Sequence, residues 1–295
     1  MSKEDSTGIL ILLAIVAIAL FGGSKNAGVT QPAPTGNETQ KQTEVSVEQK
    51  IIDTQNQIDD LKKQLQIEED KKTQSQYKGV ITLSYINRST NPSQEYVTIK
   101  MANNATGTVP VTGWILKSLN TKNQILIPKA SYLFFAGVMN TEDNIFLIGG
   151  DTLYLITGIS PNGSSFRANK CSGYLGQFQT FVPYLNSNCP APRDEDLSSI
   201  PKITANDRCF DYIDSMPTCR IQTETPPQYL GVECNNFISK KINYSSCVDT
   251  HKNDKDFYLK EWRVYLKRGE SLWKDKREVI ILYDNFGKVV DTLKY

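Results

Sequence analysis

Six cysteines, Cys171, Cys189, Cys209, Cys219, Cys234 and Cys247, carry most of the chemistry this chain could do. Cysteines bind zinc or form disulfides, and spacing separates the two. A zinc site wants C-x-x-C or histidine-containing pairs. Here the closest two cysteines are ten residues apart, and the single histidine is His251. The six are therefore read as disulfides, which form in an oxidising compartment, so the region that bears them should face outward from the cell. Six cysteines allow fifteen connectivities. Nearest-neighbour pairing (Cys171 with Cys189, Cys209 with Cys219, Cys234 with Cys247) is the simplest expectation, and each such staple would stabilise by roughly 3 kcal/mol.

Catalysis has little to build on. His251 lies in Asp249-Thr250-His251-Lys252-Asn253-Asp254-Lys255-Asp256. That polar run reads as an exposed loop, yet any Ser-His-Asp arrangement would have to use it. The same run only superficially resembles a calcium loop: Lys252 and Lys255 interrupt it, and no glycine or closing glutamate stands at EF-hand spacing. Glu195-Asp196 reads as a solvated pair rather than a glycosidase dyad. There is no P-loop and no G-x-G-x-x-G. No catalytic residue, metal or cofactor is expected. The aromatics are the better lead. Tyr174, Phe178, Phe181 and Tyr184 lie between Cys171 and Cys189. They are candidates for packing, and a surface subset could stack on sugars or insert into a partner. With 33 basic and 32 acidic residues the net charge is +1, which is no footprint for nucleic acid. The basic run Lys252 to Arg277 is interleaved with Asp, Glu, Trp and Tyr and reads as a charged strand face.

These groups need elements to position them. Ser6 to Ser24 contains no charged residue. As a helix it would span about 28 Å, close to a hydrocarbon core of about 30 Å. A cleaved signal peptide is the rival, but no A-x-A pattern follows the apolar core, which favours an uncleaved anchor. Residues 25–44, rich in Gly, Pro, Thr, Asn and Gln, read as a disordered linker. Residues 45–76 contain no proline or glycine. Val47, Ile51, Thr54, Ile58, Leu61 and Leu65 follow heptad spacing, so a helical stalk is expected. It is either a short coiled coil, making the protein a homo-oligomer, or a lone solvated spacer. From Val80 the period changes to two, with strand patterns over 80–86, 96–99, 113–116, 124–128, 144–148, 152–156, 262–266, 278–283 and 288–294. Short strands with regular turn signals argue for a mainly β sandwich.

Two of these patterns carry a resemblance. Glu95-Tyr96-Val97-Thr98-Ile99 is followed by Val111-Thr112-Gly113-Trp114-Ile115-Leu116, and the chain closes with Leu282-Tyr283-Asp284, Gly287, Val289-Val290-Asp291 and Tyr295. In this order they resemble the opening and closing strands of a lamin-tail domain, an immunoglobulin-like β-sandwich. The resemblance covers 80–157 and 262–295 within a domain at 77–295. It implies that Trp114 fills the sandwich centre, that Gly113 lets the backbone pass closely, and that Asp291 caps a turn near the closing strand. Residues 158–261, which hold all six cysteines, are an insertion far longer than an ordinary loop. Its stretch Cys209 to Cys247 reads as a small α-rich lobe. The whole chain is similar to membrane-anchored lamin-tail proteins of candidate-phyla bacteria. The expectation is a single-pass membrane protein with an extracytoplasmic, non-catalytic head. That head would bind an envelope glycan or a surface protein, or else serve as a scaffold subunit; a wall hydrolase is a minor alternative. The chromatin contacts associated with lamin tails do not fit an outward-facing, disulfide-bonded head, and nucleic acid is not expected as a partner.

Overall fold

The computed structural model describes residues 37–203 and 206–295. The apolar run at 6–24, read as an anchor, lies outside the described residues, as does the linker up to residue 36. Among the described residues no helix is long and apolar enough to cross a membrane. The chain divides into two compact units, Met1–Gln64 and Leu65–Tyr295. Helix α1 (Asn37–Thr73) begins inside the span read as a linker. In the first unit Gln49 and Gln55 donate to Asp53 and Asp59, 3.2 and 3.1 Å away. These are the i,i+4 pairs that support an exposed helix.

The second unit is mainly β, with a helical lobe. Its strands are β1 (Ile81–Asn87), β2 (Tyr96–Met101), β3 (Thr108–Pro110), β4 (Ile115–Ser118), β5 (Gln124–Leu126) and β6 (Phe146–Ile148). They continue with β7 (Thr152–Ile156), β8 (Phe166–Asn169), β9 (Tyr258–Tyr265), β10 (Val279–Tyr283) and β11 (Val289–Lys294). One sheet runs β1-β2-β7-β9-β8, a second β11-β10-β4-β5, and β3 pairs with β6. Every pairing is antiparallel except β7 with β9. Parallel neighbours cannot be joined by a hairpin and need a long crossover. Residues 157–257 are that crossover. The long insertion is therefore the connection that the sheet order demands, and it contributes β8 to the sheet itself.

A first core draws on both sheets: Ile81, Ile99, Trp114, Leu116, Leu153, Trp262, Ile280 and Leu282 are all buried. Inward residues alternate with outward ones along β10, as a half-buried strand requires. The residues that carry the resemblance have concrete places here. Trp114 lies in this core beside Tyr77. Gly113 has φ +83°, and a Cβ there would come within 3.1 Å of Asn285 Oδ1. Gly287 has φ +71° in the β10–β11 turn, where Asp284 accepts from Phe286 N and Lys288 N. The Asp291 carboxylate caps no turn. It accepts from Leu83 N at 2.7 Å and so stitches β11 to β1 at a bulge in β1. Tyr96 stands edge-on to Tyr154, and Tyr295 donates its hydroxyl to Lys274 O.

Glu95 is fully buried. It accepts from Thr157 Oγ1 (2.6 Å), Leu272 N (2.8 Å) and Trp273 N (3.2 Å). These bonds hold the segment before β10 against β2 and offset the cost of burying a carboxylate. Glu278 does the same for Ser118 Oγ, Val279 N and Lys274 N.

The insertion builds a second core around helices α2 (Asp207–Ser215), α3 (Gly231–Lys241) and α4 (Tyr244–His251). All six cysteines are bonded, as Cys171–Cys247, Cys189–Cys219 and Cys209–Cys234. Nearest-neighbour pairing is thereby corrected, and helix geometry supplies the reason. Cys209 lies in α2 and Cys234 in α3, so the packing of the two helices, and not separation along the chain, sets this pair. Where α2 meets α3, Cys209 and Cys234 are 5.9 Å apart at Cα.

Candidate functional site

The four aromatics between Cys171 and Cys189 divide into two pairs. Tyr174 and Phe181 turn inward to the second core, where Phe181 packs edge-on against Phe166. Burial, with the Glu195 charge behind it, pushes the Tyr174 hydroxyl up to about 12, so it stays neutral. Both are buried packing groups, and Phe181 also borders the cleft beside Tyr184. Phe178 and Tyr184 face outward, 65% and 85% exposed.

Tyr184 borders a cleft of about 220 Å³ together with Gln179, Thr180, Ser187, Thr218 and Arg220. Three features fix it. Gly173 is pressed against the Cys189–Cys219 bridge: a Cβ there would collide with Cys219 Sγ and come within 2.7 Å of Asn186 O. Gln177 grips the backbone of Ile221 from both sides, donating to its carbonyl at 3.0 Å and accepting from its N–H at 2.7 Å. Arg263, buried on β9, donates to the carbonyls of Pro183 and Tyr184 while its Nε bonds Glu261 at 2.7 Å. A strand of the sheet thus holds the backbone from which the Tyr184 ring projects.

The cleft is smaller than the about 300 Å³ at which small-molecule pockets usually begin. It suits one segment of a larger ligand. An exposed aromatic face beside amide, hydroxyl and guanidinium groups is the chemistry that holds a sugar ring: apolar contact with its C–H face, hydrogen bonds to its hydroxyls. Composition hid half of this site. Arg263 sits in the basic run read as a charged face, yet it is buried. Thr218, Arg220 and Gln177 carry no motif, and the Cys189–Cys219 bridge and the Gln177–Ile221 hydrogen bonds bring them together.

The histidine has a different setting from the exposed loop its neighbours suggest. His251 is the last residue of α4, and its side chain is 18% exposed. Nδ1 meets Asp254 Oδ2 at 2.8 Å and Nε2 meets Glu195 Oε1 at 3.1 Å. Lys170 extends the cluster to Asp254 (3.0 Å) and Asp256 (2.7 Å). Burial works against the imidazolium, but hydrogen bonds to Asp254 and Glu195 outweigh it and raise the His251 pKa above its usual value. Both ring nitrogens face carboxylates, which leaves neither free to take a proton from a serine. Among the described residues no group of three or more His, Cys, Asp or Glu side chains is placed to hold a metal ion.

No protein-family model matches the chain, and no curated protein matches it.

Proposed function

We propose that this chain is a non-catalytic, membrane-anchored surface protein. Its lamin-tail-like, immunoglobulin-like head binds an envelope glycan outside the cell through the cleft at Tyr184. The observation that carries this reading is Tyr184 itself: a ring 85% exposed, on a backbone held by buried Arg263, beside hydroxyl, amide and guanidinium groups. Three disulfides support the extracytoplasmic placement. The test is cosedimentation of the oxidised full-length protein with isolated envelopes, before and after protease shaving. Saturable binding that survives shaving and weakens roughly tenfold in Tyr184→Ala is the expected result. Binding lost on shaving points to a protein partner, and no binding by folded protein sinks the adhesion reading.

A second reading, a scaffold subunit assembled through α1, has its own observation. Ile51, Leu61 and Leu65, at seam positions of the heptad pattern, are all more than half exposed. A second helix would cover them. A monomer by analytical ultracentrifugation of the full-length protein in detergent would exclude it.

A further inference from the structure

The two larger sheets have four edges, and three of them are covered. At the β1 edge, Leu83 N is taken by Asp291. At β11, Gln74 forms a bridge with Val289, and Ser75 N donates to Val289 O. At β8, Ser131 N donates to Ser165 O and Ser131 O accepts from Arg167 N. Among the described residues the edge of β5 has no such cover: its strand pairing is with β4 alone.

The ladder dictates which groups are open. Ser118 N donates to Asn123 O, and Ile127 N donates to Trp114 O. Asn123 and Ile127 therefore bond toward β4. Backbone groups alternate along an antiparallel strand, so those of Gln124 and Leu126 point away from β4. They open onto a cleft of about 360 Å³ rather than a flat surface. Lys129, Lys267 and Arg268 line that cleft against one carboxylate, Glu142, and none of the three cations has an acidic partner within 4.0 Å among the described residues, so the lining carries a net positive charge. The last two are set rigidly: Lys267 N donates to Gly158 O and Arg268 N to Thr157 O. Leu126 adds an apolar contact, 59% exposed.

We propose that the open edge of β5 takes an extended acidic peptide of a protein partner as an added strand. Its backbone bonds Gln124 and Leu126, and its carboxylates face Lys129, Lys267 and Arg268. Strand addition draws affinity from main-chain hydrogen bonds and specificity from alternate side chains, so an alternating acidic and apolar sequence is the match. Charge selects it over basic or neutral strands. The surface lies apart from the Tyr184 cleft in its residues, and the inference does not rest on the glycan reading.

The full-length oxidised protein in detergent is titrated against a fluorescein-labelled octapeptide of alternating valine and glutamate, read by anisotropy. Saturable binding is expected, with none to the valine–lysine counterpart. Lys267→Glu with Arg268→Glu should weaken it roughly tenfold or more, and so should N-methylation of alternate amides in one of the two phases. Tyr184→Ala should leave it unchanged. Leu126→Pro removes an outward N–H without touching the β4 ladder and should abolish binding at an unaltered melting temperature. If that variant does not fold, the methylated peptides on the wild-type protein decide. No saturable binding of the octapeptide overturns the proposal. Undiminished binding of both methylated peptides, or equal binding of a soluble polyuronate, also overturns it by reducing the cleft to a simple anion site.

Discussion

The two cores of the head achieve order by different means. The first contains Trp114, Trp262 and Trp273 and no cysteine, and hydrogen-bonded strands of both sheets feed it. The second contains all six cysteines, and its helices are 9, 11 and 8 residues long. Helices that short are marginal in water. What holds them is covalent: Cys171–Cys247 closes a separation of 76 residues, Cys189–Cys219 one of 30 and Cys209–Cys234 one of 25. A crossover between parallel strands can be long because the sheet fixes its two ends, but its interior has to find its own stability. The difference teaches that the first core is built without a disulfide, while the lobe depends on its oxidation state.

The largest effect that could break this comparison comes from the longest bridge. Replacing Cys171 and Cys247 together by alanine should cost the lobe roughly 4.5 kcal/mol by loop entropy. Limited proteolysis of the variant should then cut within 171–251. Tryptophan emission should hardly move, because all three tryptophans report on the first core. A red shift that tracks the cleavage would show one cooperative unit and end the distinction.

The same division governs what could be read from sequence. Strands with a period of two and turns marked by glycine, such as β10, Asp284-Asn285-Phe286-Gly287 and β11, are legible because local pattern and burial agree. β3 and β8 were not: Thr108-Val109-Pro110 is three residues ending in proline, and Phe166-Arg167-Ala168-Asn169 is buried on all four with no alternation. The carboxylate of Glu95 looked like one letter of a pattern; its three partners lie 62 to 178 residues away. Disulfide connectivity was illegible for the same reason, since it follows from helix packing and not from spacing. Of the candidate site, the aromatic segment was visible, whereas which rings face outward was not. The apolar residues at 174, 175, 178, 181, 182 and 185 stand at helical spacing, broken by Pro183. The chain there forms only a short 3-10 turn, Ser172–Gly176, and then leaves helical geometry.

A smaller effect sharpens the comparison from the other side. Glu95→Gln keeps the volume but sets an amide N–H₂ against hydroxyl and backbone donors. At least one buried hydrogen bond turns into an opposed pair. The expected cost is about 2 kcal/mol, seen as a lower denaturation midpoint by tryptophan fluorescence. Protease resistance of the 171–251 lobe should persist until that midpoint is reached. Resistance lost well before the midpoint would mean that the lobe leans on Glu95 through β9.

The smallest expected effect belongs to the lobe alone and reads out its polar clamp. Hydrogen bonds to Asp254 and Glu195 outweigh burial and favour the charged form of His251, so its folded pKa lies above the unfolded value. Its contribution is therefore full below about pH 6.5 and is lost as pH rises through the folded pKa. Asp254 and Asp256 run the other way. Hydrogen bonding to His251 and then Lys170 lowers the first, hydrogen bonding to Lys170 lowers the second. Their contribution is present above their unfolded pKa near 4 and is lost as pH falls through the folded ones. The lobe should accordingly be firmest between about pH 4 and 6.5, and proteolysis within 171–251 should quicken as pH rises from about 6 to 8. His251→Gln should flatten that upper limb while leaving the acid limb in place. The first core, which contains no histidine, should show no matching change in tryptophan-detected stability over the same range. An upper limb that persists in His251→Gln would assign it to another group and remove the clamp from the account of what holds the lobe.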